Sequence, residues 1–130
     1  MTTPPIDTAP PAALRLYFPA GSRATATRFW HRLGAPALAQ HLLAVARQAR
    51  IRQAVLYHVA AGYLPGERLT HHHPEVSAMK HPQCLELMDA EARLRQFIQV
   101  HAQELRKVRA VLFQCELPLE PAGGDAARGA

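Results

Sequence analysis

Histidines are concentrated in one short stretch of this 130-residue chain. His71, His72 and His73 are consecutive, Glu75 follows two residues later, and His81 closes the group. Neutral imidazole binds zinc, nickel or copper, and a carboxylate can complete such a site. Alternate side chains of an extended chain share a side, so we expect His71 and His73 to face one metal while His72 points away. His71, His73, Glu75 and His81 are therefore a candidate divalent-metal site, although their spacing matches no structural zinc signature.

A group of cations lies between the last two apolar segments of the chain, 94–105 and 110–117. Arg106, Lys107 and Arg109 follow the stretch 101–105, and the whole of 101–109 lacks the glycines that would form a backbone nest for phosphate. The three side chains can still contact an anion through charge-assisted hydrogen bonds. The alternative is that they are solvated charges at a helix end.

Other kinds of chemistry are not indicated by the sequence. There is no Ser–His–Asp or Cys–His order, no paired carboxylates and no glycine-rich phosphate loop, so we expect no enzyme. The net charge is +5, but the basic residues are spread along the chain without a nucleic-acid-binding motif, so we expect no nucleic-acid partner. Cys84 and Cys115 lack CxxC spacing, which is typical of two buried thiols in a reduced, cytoplasmic protein.

Length and composition indicate a single domain that positions these residues. A chain of 130 residues with 48% apolar content suits one core. Four prolines fall within 1–12, and 118–130 is rich in proline and glycine, so we expect loose tails around a domain at 13–117. No apolar run approaches the roughly 20 residues of a membrane span. The first residues lack a basic region followed by an apolar stretch, so we expect no secretory leader.

Hydrophobic periodicity predicts six elements within 13–117. Alternation of Leu14, Leu16 and Phe18 is typical of a half-buried strand. Apolar residues recur at helical spacing over 38–49, and Asp89 is a suitable N-cap for a second helix. We predict strands at 14–18, 54–59, 84–88 and 110–117, and helices over 36–50 and 89–105.

The order βαββαβ predicts an α+β fold, a ferredoxin-like sandwich of four antiparallel strands with both helices on one face. The other face would be open, and we expect it to present Arg15, Tyr17, Ala54, Leu56 and His58. Between the second and third strands lies the aperiodic segment 62–82. Connections this long are uncommon in compact domains and are usually functional or disordered. We therefore expect a mobile functional loop at 62–82.

The chain resembles the PII-like signalling superfamily, and within it an uncharacterised PII-like domain family. The resemblance rests on the segments His31-Arg32-Leu33-Gly34-Ala35-Pro36, 38–49, Ile51-Arg52-Gln53-Ala54-Val55-Leu56 and Ala61-Gly62-Tyr63. It implies a homotrimer, small-molecule effectors bound in clefts between subunits, and a T-loop, here 62–82, that contacts a partner. That partner would be a membrane transporter or another protein.

The residues themselves predict where an anionic effector would bind. Gly62 and Tyr63, at the base of the 62–82 loop, would meet Arg106, Lys107 and Arg109 of the same or the adjacent subunit. Gly62 allows close backbone approach and Tyr63 can stack on a ring. An adenine nucleotide or bicarbonate would be the ligand. The alternative function is that of a CutA-like metal-binding protein of the same fold, which would use the histidines of the loop.

Overall fold

The computed structural model describes residues 10–25, 34–73 and 79–116, and the structural statements below concern these ranges. The segment 118–130 lies outside them. The first strand begins at Pro11, two residues inside the segment 1–12 that composition assigns to a tail.

Two helices and six strands make up the described part of the chain, which confirms the α+β class. In chain order they are β1 (Pro11–Pro19), α1 (Leu38–Gln48), β2 (Gln53–Tyr57), β3 (Ala61–Gly62), β4 (Thr70–His71), β5 (Pro82–Ala90), α2 (Glu91–Val100) and β6 (Arg109–Gln114). Neither helix has the length and apolar content needed to cross a membrane, within the ranges given above.

Four strands form one antiparallel sheet in the order β2-β5-β1-β6. The two long strands β1 and β5 are central and pair over their full length, from Pro11 opposite Ala90 to Pro19 opposite Pro82. β2 and β6 are the edge strands, and β6 pairs with β1. Because successive side chains alternate between faces, this register fixes which residues lie together on each side of the sheet.

The hydrophobic core lies on the face of the sheet that both helices cover. Leu14 and Leu16 of β1 stand opposite Leu87 and Leu85 of β5, and all four are fully buried. The helices add six buried side chains to the same cluster, namely Leu38, Ala39, Leu42, Ala46, Leu94 and Phe97. The predicted first strand and the predicted apolar faces of both helices are therefore confirmed.

The end of α1 is closed by a residue in the left-handed region. Arg50 has φ 58°, its N–H bonds the Arg47 carbonyl, and the Ile51 N–H bonds the Ala46 carbonyl. This is the hydrogen-bond pattern of a Schellman motif, which usually places glycine at the position that Arg50 holds here. From α2, Arg93 donates to the carbonyls of Ala49 and Arg50, so that the last turn of α1 is also tied to the second helix.

The prediction that Asp89 caps the second helix is wrong. Asp89 belongs to β5, Ala90 is the N-cap, and no side-chain cap bond is present. The buried Asp89 carboxylate instead accepts the N–H groups of Ala90 and Arg52 and pairs with Arg93. It therefore joins the start of α2 to the segment that leads into β2.

The prediction of an aperiodic loop over 62–82 is wrong for its first half. β3 and β4 pair in a hairpin, with Ala61 opposite His71 and Gly62 opposite Thr70. Gly66 turns the chain between them with φ +81°, a conformation that L side chains rarely adopt. We call residues 59–73 the hairpin arm.

Candidate functional site

The open face of the sheet carries a buried carboxylate between its two central strands. Glu86 of β5 is only 3% exposed, and its Oε2 accepts a hydrogen bond from Arg15 Nε at 2.8 Å. The hydroxyl of Tyr57 donates to Oε1 at 3.2 Å. Since an isolated buried carboxylate is strongly disfavoured, these two donors are what allow the charge to stay at this position.

Arg15 is held by Glu86 but remains accessible. Its side chain is 43% exposed, and its guanidinium carbon lies 5.1 Å from the centroid of the Phe113 ring. The bond to Glu86 uses Nε, and no carboxylate partner of Nη1 or Nη2 is found in the described ranges. The hydrogen bond to Glu86 raises the pKa of Arg15 further above its usual range, so the residue is a permanent cation.

Apolar side chains on the two edge strands flank this ion pair. Val55 and Tyr57 of β2 and Val111 and Phe113 of β6 are between 37% and 45% exposed. The negative charge of Glu86 raises the pKa of Tyr57, so the phenol keeps its proton and remains a donor. We call the ion pair and these four residues the open-face site.

The sequence-based prediction of which β2 side chains lie on the open face is wrong. Ala54 and Leu56 pair with Leu87 and Leu85 and pack against the core, so neither lies on the open face. His58 lies beyond the end of β2, next to the hairpin arm. A shift of one residue moves every side chain of a strand to the other face, which is why Val55 and Tyr57 occupy the positions expected for their neighbours.

Cys84 lies on the same face as Glu86 and is buried. Burial raises the pKa of its thiol, so it is not poised as a thiolate nucleophile. Both cysteines are free, and Cys115 is partly exposed rather than buried as expected.

The predicted effector site is brought together only in part. Lys107 and Arg109 line a cleft of about 220 Å³ with Leu64, Pro65 and Glu67 of the hairpin arm. The basic residues therefore meet the turn of the hairpin arm and not its base, where Gly62 and Tyr63 lie. Tyr17 of β1 also lines this cleft, which places it at one end of the open sheet face.

The remaining members of that predicted site lie elsewhere. Arg106 lines a second cleft of about 370 Å³, beside Arg23 and Glu104, and Lys107 is shared by the two clefts. A Cβ added to Gly62 would point toward Val59 and Pro82 and make ordinary contacts with them. This side of Gly62 therefore faces away from the cleft. Tyr63 is exposed and is not part of the cleft lining.

His81, one of the four predicted metal ligands, is engaged within the protein. It is buried, its Nε2 donates to the Val59 carbonyl at 2.6 Å, and its Nδ1 lies 2.7 Å from Thr70 Oγ1. Both ring nitrogens are therefore occupied. His81 fastens both ends of the hairpin arm to the start of β5.

The other histidines do not gather as expected. His71 and His73 are exposed, and Glu75 lies outside the described residues. His72, expected to point away, has its ring centroid 6.2 Å from that of His58 and 6.1 Å from that of His81. Within the part of the chain that the structure describes, no three His, Cys, Asp or Glu side chains are placed to hold a metal ion.

Comparisons with known proteins do not assign a family. No family model matches the chain, and no curated protein matches it. Among solved structures, it is similar to an EthD-like protein from Ralstonia eutropha, with 13% identity, a TM-score of 0.40, and coverage of 88% of this chain and 97% of that one. It is also similar to a hydantoinase/carbamoylase-family amidase from Burkholderia multivorans, with 14% identity and a TM-score of 0.34; the match covers 93% of this chain and 32% of the amidase.

The open-face site is the arrangement that sequence reasoning missed. Arg15 and Tyr17 are recognisable as sharing one face of β1, and Cys84 and Glu86 alternate in the same way along β5. A glutamate in the middle of an otherwise apolar strand was the available signal. Its partner, however, lies 71 residues away in the chain, and pairing at that separation follows only from the strand register.

Proposed function

We propose that this protein is a cytoplasmic, non-enzymatic regulatory protein of the PII-like type, which binds a small anion in the cleft beneath its hairpin arm. The observation that carries the proposal is the position of Lys107 and Arg109 opposite residues 64–67 of the arm. Two cations facing a segment that leaves the sheet provide a means for an anion to change the position of that segment.

The cleft also contains an acidic residue whose charge is compensated. Glu67 lines it, and Lys80 Nζ lies 3.6 Å from the Glu67 carboxylate. With Lys107 and Arg109, the cleft region carries three cations against one carboxylate. A net positive charge favours an anionic ligand such as bicarbonate or the phosphates of an adenine nucleotide.

The proposed assembly is a homotrimer of ferredoxin-like subunits. β2 and β6 are the edge strands of the sheet, so their outer backbone groups can pair with a strand of a neighbouring copy. Because Tyr17 joins the cleft to the open face, a neighbour at this edge would place the anion between subunits. The arm and the remainder of 62–82 would then signal to a protein partner such as a transporter.

Isothermal titration calorimetry with ATP, ADP and bicarbonate tests the proposal. We expect at least one of these anions to bind the full chain, and the double variant Lys107→Gln with Arg109→Gln to abolish that binding. The matched control is Arg95→Gln, which removes one exposed cation from α2, outside the cleft lining. Light scattering at micromolar concentration should give the mass of three chains.

Two results would contradict the proposal. One is an anion that binds wild type and the Lys107/Arg109 double variant with equal affinity, since the site would then lie elsewhere. The other is the absence of binding by all three anions at millimolar concentration. A monomeric mass would refute the trimer but would leave the cleft itself to be judged by calorimetry.

A further inference from the structure

The guanidinium of Arg15 is oriented by a buried acid and presented on an open surface. Glu86 holds Nε at 2.8 Å and is itself fixed by the Tyr57 hydroxyl, while the guanidinium carbon lies over the Phe113 ring. A guanidinium has five N–H donors in a rigid fork. Nε is used by Glu86, and the Tyr17 side chain also lies within hydrogen-bonding reach of the guanidinium, which leaves three N–H donors on Nη1 and Nη2 for the oxygens of a planar anion.

Stability alone is a poor explanation for this ion pair. Burying a carboxylate costs desolvation energy that its pairing repays only with good geometry, and well-packed apolar residues often serve equally well. The surrounding positions on this face, such as Val55 and Val111, are already apolar. The charged pair interrupts an apolar surface and leaves a cation accessible at its centre. This arrangement favours a role in binding a ligand over a role in stabilising the core.

We infer that the open-face site binds a small monocarboxylate with an apolar, planar body, its carboxylate on the Nη1 and Nη2 atoms of Arg15. The site goes beyond the proposed anion cleft and does not depend on Lys107 or Arg109. Its apolar flank, formed by Val55, Tyr57, Val111 and Phe113, suits a hydrocarbon or aromatic body.

Charge balance selects a monoanion over a phosphate. Arg15 and Glu86 together carry no net charge, so a bound monocarboxylate leaves the site with one negative charge in all. A dianionic phosphate would leave two, beside the buried carboxylate of Glu86. An apolar flank further disfavours a ligand that is hydrated on all sides.

Calorimetry with benzoate tests this inference, with benzamide as the uncharged probe of the same shape and inorganic phosphate as the competing anion. Val111 stands directly opposite Arg15 on the edge strand β6, so Val111→Glu places a carboxylate beside the guanidinium. Val111→Gln is the matched control, equal in size and without charge.

We expect benzoate to bind the full chain and benzamide to bind at least about tenfold more weakly, because the charge-assisted bonds are lost. Val111→Glu should weaken benzoate binding by at least about tenfold relative to Val111→Gln. Arg15→Lys should weaken it similarly, because an ammonium pairs with Glu86 but presents no fork. The Lys107→Gln, Arg109→Gln double variant should bind benzoate as wild type does, whether or not the anion cleft exists.

The inference is overturned if benzoate does not bind, or if it binds Val111→Glu and Val111→Gln equally. Phosphate binding that depends on Arg15 would refute the ligand class. If wild type binds no benzoate and Val111→Glu lowers the mass seen by light scattering, the face is a contact between copies of the chain instead. Should Arg15→Lys fail to fold, the Val111 pair still decides the question, because it alters an exposed edge-strand position.

Discussion

Glycine should have opposite effects on stability at two nearby positions at the end of α1, because the backbone of Arg50 is in the left-handed region. Arg50 has φ 58° and an exposed side chain, and the contacts described for it are made by its backbone. Glycine can make all of these backbone hydrogen bonds without the steric cost of a Cβ in this conformation. Arg50→Gly should therefore stabilise the fold.

The magnitude follows from two opposing contributions. A Cβ in the left-handed region costs about 1–2 kcal/mol. Glycine also makes the unfolded chain more flexible, which returns about 0.4–1 kcal/mol of that gain. The difference of the two midpoints is a net gain of about 0.8 kcal/mol for Arg50→Gly over Arg50→Ala. Comparing glycine with alanine at the same position cancels the loss of the arginine charge near the helix C-terminus.

Arg47 supplies the opposite case within the same turn of helix. It is exposed and helical, so Arg47→Gly should be about 0.5–1 kcal/mol less stable than Arg47→Ala. Urea unfolding followed by far-ultraviolet circular dichroism measures all four variants, with unchanged slopes as the check that the same transition is compared. If glycine is no better than alanine at position 50, or if both positions show the same sign, the assigned cap geometry is wrong.

Three further outcomes follow from burial and close approach. Burial lowers the pKa of His101, so below pH about 6.5 the unfolded chain binds a proton at this residue more readily than the folded chain does. The free energy of unfolding should therefore fall as the pH drops below about 6.5, and it should fall less in His101→Phe. Urea unfolding of both proteins at several pH values measures the difference. Gly21→Ala should lower the melting temperature, because its Cβ would lie 2.9 Å from Met79 Cβ and 3.1 Å from the Met79 carbonyl oxygen; a variant that melts as wild type does would refute this. Iodoacetamide should modify Cys115 well before Cys84 at neutral pH, because burial hides the Cys84 thiol and raises its pKa. Mass spectrometry of tryptic peptides measures the two rates, and equal rates would contradict this expectation.

Local patterns predicted those parts of the fold that depend on neighbours in the chain. The alternation of Leu14, Leu16 and Phe18 predicted β1, and helical spacing predicted the buried faces of α1 and α2, because periodicity reports directly on burial. The hairpin arm escaped prediction because its strands are only two residues long, too short for any period to show. Asp89 was misread because a capping carboxylate and a buried strand carboxylate look alike in sequence.

The candidate sites needed long-range pairing that the sequence does not display. Lys107 and Arg109 were expected to meet the base of the loop, but they line a cleft with residues 64–67, at the turn of the hairpin arm. Arg106 was included because it is adjacent in the chain, yet it turns to another cleft. The pairing of Arg15 with Glu86 depends on the register of β1 against β5, which no local pattern specifies.

The fastening of the hairpin arm by His81 makes the chain suitable for carrying inserted peptides. The arm leaves the sheet after Val59, and the chain returns to His81, whose ring bonds Val59 and Thr70 at 2.6 and 2.7 Å. With both ends pinned at one point, doubling the length of chain between them costs only about 0.6 kcal/mol of closure entropy. The exposed turn at Gly66 is thus a natural graft point for an epitope or a reporter domain, whose displacement would be felt at the cleft beside Lys107 and Arg109.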